Sequence, residues 1–187
     1  AAGDFWDNTL GISSTNAPQA SPSGNGLVVY SLPTLVDDLS IGASYASAGE
    51  NHKGSTAYGL TYAGVEGLSV SLGRGSDNSS NNVDNDQTIM KFAYAYGPVT
   101  FSMSDNEMDN TSSSNDQDVT SFGLSYTVTD AISVTYGEES IKRSGTSSKI
   151  EVEGLTGSYT SGGMTLALTQ IEASNVDHSN SAANNDN

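Results

Sequence analysis

Cysteine is absent from the 187 residues, so a disulfide framework, a thiolate metal site and a cysteine nucleophile are all excluded. Basic residues are nearly as scarce. Only Lys53, Arg74, Lys91, Lys142, Arg143 and Lys149 stand against 22 acids, for a formal charge of −16, and phosphate binding by clustered Lys and Arg is thereby disfavoured. Nucleic acid is not an expected partner. No run of about 18 apolar residues occurs, which rules out a transmembrane helix but not membrane strands, since those show lipid only every second residue. The chain opens Ala1-Ala2-Gly3-Asp4, without the basic and apolar segments of an export signal, and reads as a mature or truncated form if exported. Apolar residues make up only 35%, too few for a conventional core of this length, yet nine Tyr, four Phe and one Trp recur in short, regularly spaced segments.

Those segments alternate with period two. In Leu39-Ser40-Ile41-Gly42-Ala43-Ser44-Tyr45 the odd positions are apolar or aromatic and the even ones small or polar, so a strand would carry the two classes on opposite faces. The pattern returns around Leu60, Val70, Phe92, Phe101, Leu124, Val134, Leu155 and Leu166, and less cleanly in Leu27 to Leu32, about ten times in all. No helical stripe competes with it.

The links between segments alternate too. Pro33 to Asp38, Gly64 to Gly67, Gly97-Pro98, Thr129-Asp130 and Ser161 to Gly163 are short. Between them lie longer polar links, Ala46 to Ala57, Ser76 to Gln87, Asn106 to Gln117 and Ser140 to Ser147, and an open end from Ser174. Antiparallel strands crossing a slab, with tight turns on one side and long loops on the other, produce this pattern. A secreted or surface β-sandwich or adhesin, its acidic loops binding Ca²⁺ or glycans, is the alternative, but its Greek-key links follow no such even-odd rule. A non-porin barrel is a further option.

In a slab-crossing sheet Leu, Val, Phe and Tyr face lipid while small and polar residues line a wet interior. Tyr45, Tyr62, Tyr96, Tyr126, Tyr136 and Tyr159 share the apolar parity near strand ends, where an amphipathic ring suits the headgroup boundary. The expected interior residues are Ser40, Ser44, Thr61, Ser69, Ser71, Thr100, Ser102, Ser125, Ser133, Thr135, Thr165 and Thr169. Lys91, between Met90 and Phe92, has the interior parity. Glu151 and Glu153 share the parity of Leu155, so either they are expected to lie above the membrane or a bulge near Gly154 is expected to reset the register.

The segment Leu27-Val28-Val29-Tyr30-Ser31-Leu32-Pro33, followed by a short link and Gly42-Ala43-Ser44-Tyr45, resembles a hairpin of the Gram-negative general porin family. The resemblance extends as hairpin grammar over residues 26–172. It implies an all-β fold, an antiparallel up-and-down transmembrane β-barrel of porin type, with about ten strands present of a probable 16. It further implies a multi-pass protein of the bacterial outer membrane, with lipid and lipopolysaccharide around it, a homotrimer, and a water-filled channel for passive diffusion of small hydrophilic solutes and ions.

Residues 1–25 take the place of the family's inward-folded constriction loop, residues 26–173 that of the barrel hairpins, and residues 174–187 that of a partial extracellular loop. On that mapping Asp4 and Asp7 face Lys91, with Arg74 and Lys53 as further candidates for the constriction field. So many carboxylates favour cations.

No cofactor is expected. The Asp/Asn-rich stretches Asp77 to Asp86 and Asp105 to Asp118 lack the spacing of a Ca²⁺ loop and read as solvated, with loosely held surface Ca²⁺ as the lesser alternative. His52, His178, Glu138 and Glu139 form no recognisable catalytic pattern, so the chain reads as a non-enzyme.

Overall fold

The computed structural model describes residues 26–33, 36–49, 54–80, 83–111 and 116–178, the side chains of 77–80, 83–84 and 177 excepted. Ten strands form one sheet: β1 (Leu27–Ser31), β2 (Leu39–Ala46), β3 (Ser55–Val65), β4 (Leu68–Ser80), β5 (Val83–Tyr96), β6 (Val99–Asn110), β7 (Gln117–Thr129), β8 (Ile132–Arg143), β9 (Ile150–Ser161) and β10 (Met164–Ser174). Their spatial order is their chain order, and every pairing is antiparallel. Among the described residues no helix is long and apolar enough to cross a membrane.

The tight turns carry the chemistry such turns need. Gly162 and Gly163 both have positive φ, 59° and 81°, the type I′ requirement of a two-residue hairpin. Gly67, at φ 76°, brings its carbonyl to the Ala95 amide at 2.8 Å, and a Cβ there would lie 2.1 Å from the Ala95 carbonyl oxygen. Before Ile132, Thr129 Oγ1 accepts from the Ala131 and Ile132 amides, at the register shift that ends β7.

The long links are shorter than their composition suggests. β4 runs to Ser80 and β5 starts at Val83, while β6 and β7 extend to Asn110 and from Gln117. Asp, Asn and Ser have low strand propensity, but each extended hairpin supplies its own ladder partners, and that outweighs the propensity. The hairpins therefore continue as paired strand beyond the apolar segments.

Burial inverts the soluble pattern. The polar-parity face is shielded: Ser104 is 6% exposed and Ser121 5%, so the sheet curls toward it. The opposite face is apolar and open, with Leu168 81% and Tyr96 75% exposed. A protein in water hides such residues, whereas lipid solvates them.

The edge of this apolar face is a staircase. Moving from β1 to β10, the outermost apolar residue toward the long links is Val28, Tyr45, Tyr58, Leu72, Met90, Met103, Phe122, Tyr136, Leu155 and Leu168. Its ladder row never rises. Val28 shares a row with Asp86 of β5, through Tyr45, Thr56 and Ser76, and Leu168 shares one with Tyr96, through Gly157, Val134, Tyr126 and Val99. The edge thus slips from Asp86 to Tyr96, ten residues along β5, over the nine strand-to-strand steps. With a rise of about 3.3 Å per residue and about 4.8 Å between strands, a level membrane boundary then requires strands tilted by about 37°. Barrel strands tilt by roughly 35–45°.

That tilt also settles Glu151 and Glu153. The β8–β9 and β9–β10 registers pass Gly154 without a shift, so no bulge turns these side chains inward. They stay on the outer face with Leu155, lifted above the apolar band.

Candidate functional site: the hydroxyl-lined inner face

Parity and pairing assemble the inner face row by row. One row reads Ser40, Thr61, Ser71, Lys91, Ser104, Ser121, Glu139, Val152, Ala173 from β2 to β10. Directly opposed hydroxyls bond across the strands: Thr61 with Ser71 at 3.0 Å, Ser104 with Ser121 at 2.8 Å, Ser125 with Thr135 at 2.8 Å and Ser133 with Ser158 at 2.7 Å. Thr156 meets Thr169 at 3.0 Å and Thr160 meets Thr165 at 2.9 Å. Toward the long links Gln87 Nε2 donates to Asn106 Oδ1 at 2.8 Å. Each hydroxyl has one proton and two lone pairs, so a paired one keeps capacity for water. The wall can exchange hydrogen bonds with a hydrated solute without giving up its own ladder.

Every expected interior hydroxyl falls on this face. Ser44 pairs with Val29 and Ala57, Ser69 with Ala93, and Thr100 and Ser102 with Ser125 and Gly123. Lys91 stands half-buried among Ser71 and Ser104. Arg74 requires a correction. It pairs with Tyr58 and Thr88 and has the parity of Leu72, so it projects from the outer face and shares no interior with Lys91. Asp4, Asp7 and Lys53 lie outside the described residues, as does the segment 1–25 read as a constriction loop.

Two features escape a reading by composition. Glu138 and Glu139 look like a solvated acidic pair, yet alternation sends Glu138 outward and Glu139 inward, where it is 3% exposed. Its parity with Thr135 and Gly137 was the available signal. Lys91 and Glu139 then stand in one row three strands apart, about 14 Å at the usual strand spacing. Near the same height, an apolar cluster of Val119, Ile141, Ile150, Val152 and Ala173 occupies the inner face of β7–β10. Four of its members break the polar parity of their strands, a signal visible only once the faces are fixed.

The outer face carries a diagonal aromatic series, Phe92, Phe101, Phe122 and Tyr136, with centroids 6.2, 5.9 and 6.1 Å apart. At its upper end the Tyr136 hydroxyl donates to Glu138 and, at 3.0 Å, to Glu153 Oε2. Lys149 pairs with Glu151 at 2.7 Å, and Lys142 with Asp118 at 3.7 Å. These exposed pairs contribute little stability. Among the described residues no group of three or more His, Asp or Glu is placed to hold a metal ion.

A single antiparallel sheet of neighbouring hairpins, tilted, apolar outside and hydroxylated inside, defines a transmembrane β-barrel protein of the bacterial outer membrane. The chain belongs to the Gram-negative porin family, whose profile matches residues 1–180. Among solved structures it is similar to the outer-membrane-expressed OmpT of Vibrio cholerae, with a TM-score of 0.62 at 17% identity, over 79% of this chain and 54% of that one. It thus spans about half the length of that structure, and at this identity the likeness is one of fold. No curated protein matches the chain.

The likeness corrects one expectation. Without catalytic motifs the sequence reads as a non-enzyme, but an outer-membrane barrel such as OmpT shares its fold, and fold leaves chemistry undecided. Missing motifs do not exclude an enzyme here.

Proposed function

We propose that the complete protein forms a water-filled channel for passive diffusion of small hydrophilic solutes and ions across the outer membrane, with a preference for cations. The observation that carries this reading is the paired hydroxyl lining of the shielded face, set against an exposed apolar face. A wall of Ser and Thr donors and acceptors substitutes for part of a solute's hydration shell at little cost. The net charge of −16 raises the local concentration of cations at the mouth.

On this reading Lys91 and Glu139 shape the field across the inner wall, with Asp4 and Asp7 of the N-terminal segment as further carboxylates. Lipid and lipopolysaccharide surround the outer face, and three copies associate, as family membership suggests. Diffusion of this kind takes no cofactor. Planar-bilayer recording of the full-length protein tests the proposal: stepwise current increments with a cation-selective reversal potential are expected. A bilayer that gains protein but no current would overturn it.

A further inference from the structure

Apolar side chains on the inner wall of a wet channel are unfavourable unless something covers them. Val119, Ile141, Ile150, Val152 and Ala173 are nevertheless only 2–8% exposed. The chain itself returns to them. Directly after β10, Asn175 enters the left-handed region at φ 55°, a conformation that asparagine tolerates, and Val176–His178 form one 3-10 turn. Val176 packs against the cluster together with Ile171.

The far end of the turn is tied as well. His178, also left-handed at φ 56°, places Nδ1 3.1 Å from the Ser148 carbonyl oxygen, an arrangement in which Nδ1–H donates. Ser148 lies in the β8–β9 link, which Thr146 braces by donating from Oγ1 to the Arg143 carbonyl at 2.7 Å. An apolar contact at Val176 and a polar one at His178 hold the turn on the side toward which the sheet curls. A wall that needed only to be wet would have no use for this patch.

We propose that the turn Asn175–His178 is an inward-folded strap, seated through Val176 on the apolar patch of the inner face, that occupies part of the channel's cross-section at its long-link mouth and sets the size limit there. The proposal rests on the channel reading. It gives the Ile141 and Val152 region a role in specificity that the hydroxyl wall does not have.

Full-length protein in planar bilayers tests it, with single-channel conductance and the cut-off for blockade by polyethylene glycols of graded size as readouts. Val176→Asp places a charge against the patch and should release the strap, giving a higher conductance and a larger cut-off. Val176→Ile should reproduce the wild-type values.

If the wild-type protein conducts and Val176→Asp matches it in both readouts, the strap is overturned while the channel stands. A wild-type protein without current removes the channel reading itself. Should Val176→Asp fail to insert, Val176→Cys places a thiol at the seat of the strap, and its complete modification by a bulky water-soluble reagent should unseat the turn and raise the single-channel current. Full modification with unchanged current would overturn the strap equally.

Discussion

Val70 and Glu153 occupy one ladder row of the outer face, connected through Phe92, Met103, Phe122 and Glu138. If the row were level they would sit at one depth. The 37° tilt instead lifts each step by about 3 Å, so the five steps from β4 to β9 raise Glu153 about 14 Å above Val70. Val70 lies midway between Leu68 and Leu72, at the centre of the outer apolar segment of β4. Half of a typical barrel's apolar band is about 12 Å, which places Val70 near the membrane midplane and Glu153 just above the hydrocarbon.

Arginine introduced at the midplane of an outer-membrane barrel costs about 2–4 kcal/mol, and near the interface about 0–1 kcal/mol. Val70→Arg should therefore destabilise the protein by about 2–3 kcal/mol more than Glu153→Arg, on the order of a hundredfold in the folding equilibrium. Reversible denaturant unfolding from phospholipid vesicles measures both. Equal costs for the two substitutions, or a larger one at Glu153, would refute the tilt and with it the membrane placement of the acidic residues.

Other substitutions separate the remaining parts of the structure. Lys91→Glu reverses one inner-wall charge and should move the reversal potential in a salt gradient further toward cations, whereas Glu139→Gln should move it the opposite way; parallel shifts would contradict their shared row. Gly67→Val meets both a positive φ and the Ala95 carbonyl, and should cost about 1–3 kcal/mol in the same unfolding measurement. Gly157→Ala, whose Cβ enters open space, should stay within about 0.5 kcal/mol of wild type. A Gly67→Val protein as stable as wild type would mean that the β3–β4 turn is misassigned.

The alternation of Leu39 to Tyr45 and its repeats made the strands, their order and their two faces legible in the sequence, because period two is a local property. Strand ends were not. Ser76 to Gln87 reads as loop by composition, and only the facing strand, which propensity cannot see, keeps it paired. Arg74 is a candidate for the constriction field in the sequence, although its parity with Leu72 points outward. Glu139 was hidden behind its neighbour Glu138. The tilt was beyond local reading altogether, since it appears only when the nine strand pairings are laid side by side. The seat of Val176 depends on contacts among β7, β8, β9 and the chain beyond β10, which no spacing rule encodes.

The central claim is that Ser and Thr face water while Leu and Tyr one residue away face lipid. Because these 187 residues hold no cysteine, each introduced thiol is the only one within them. Single substitutions Ser71→Cys, Leu72→Cys, Leu124→Cys and Ser125→Cys, in protein reconstituted into bilayers, can be timed against a membrane-impermeant thiol reagent. Fast labelling at 71 and 125 with protection at 72 and 124 is the expected result. Labelling without alternation, or fastest at 72 and 124, would contradict it.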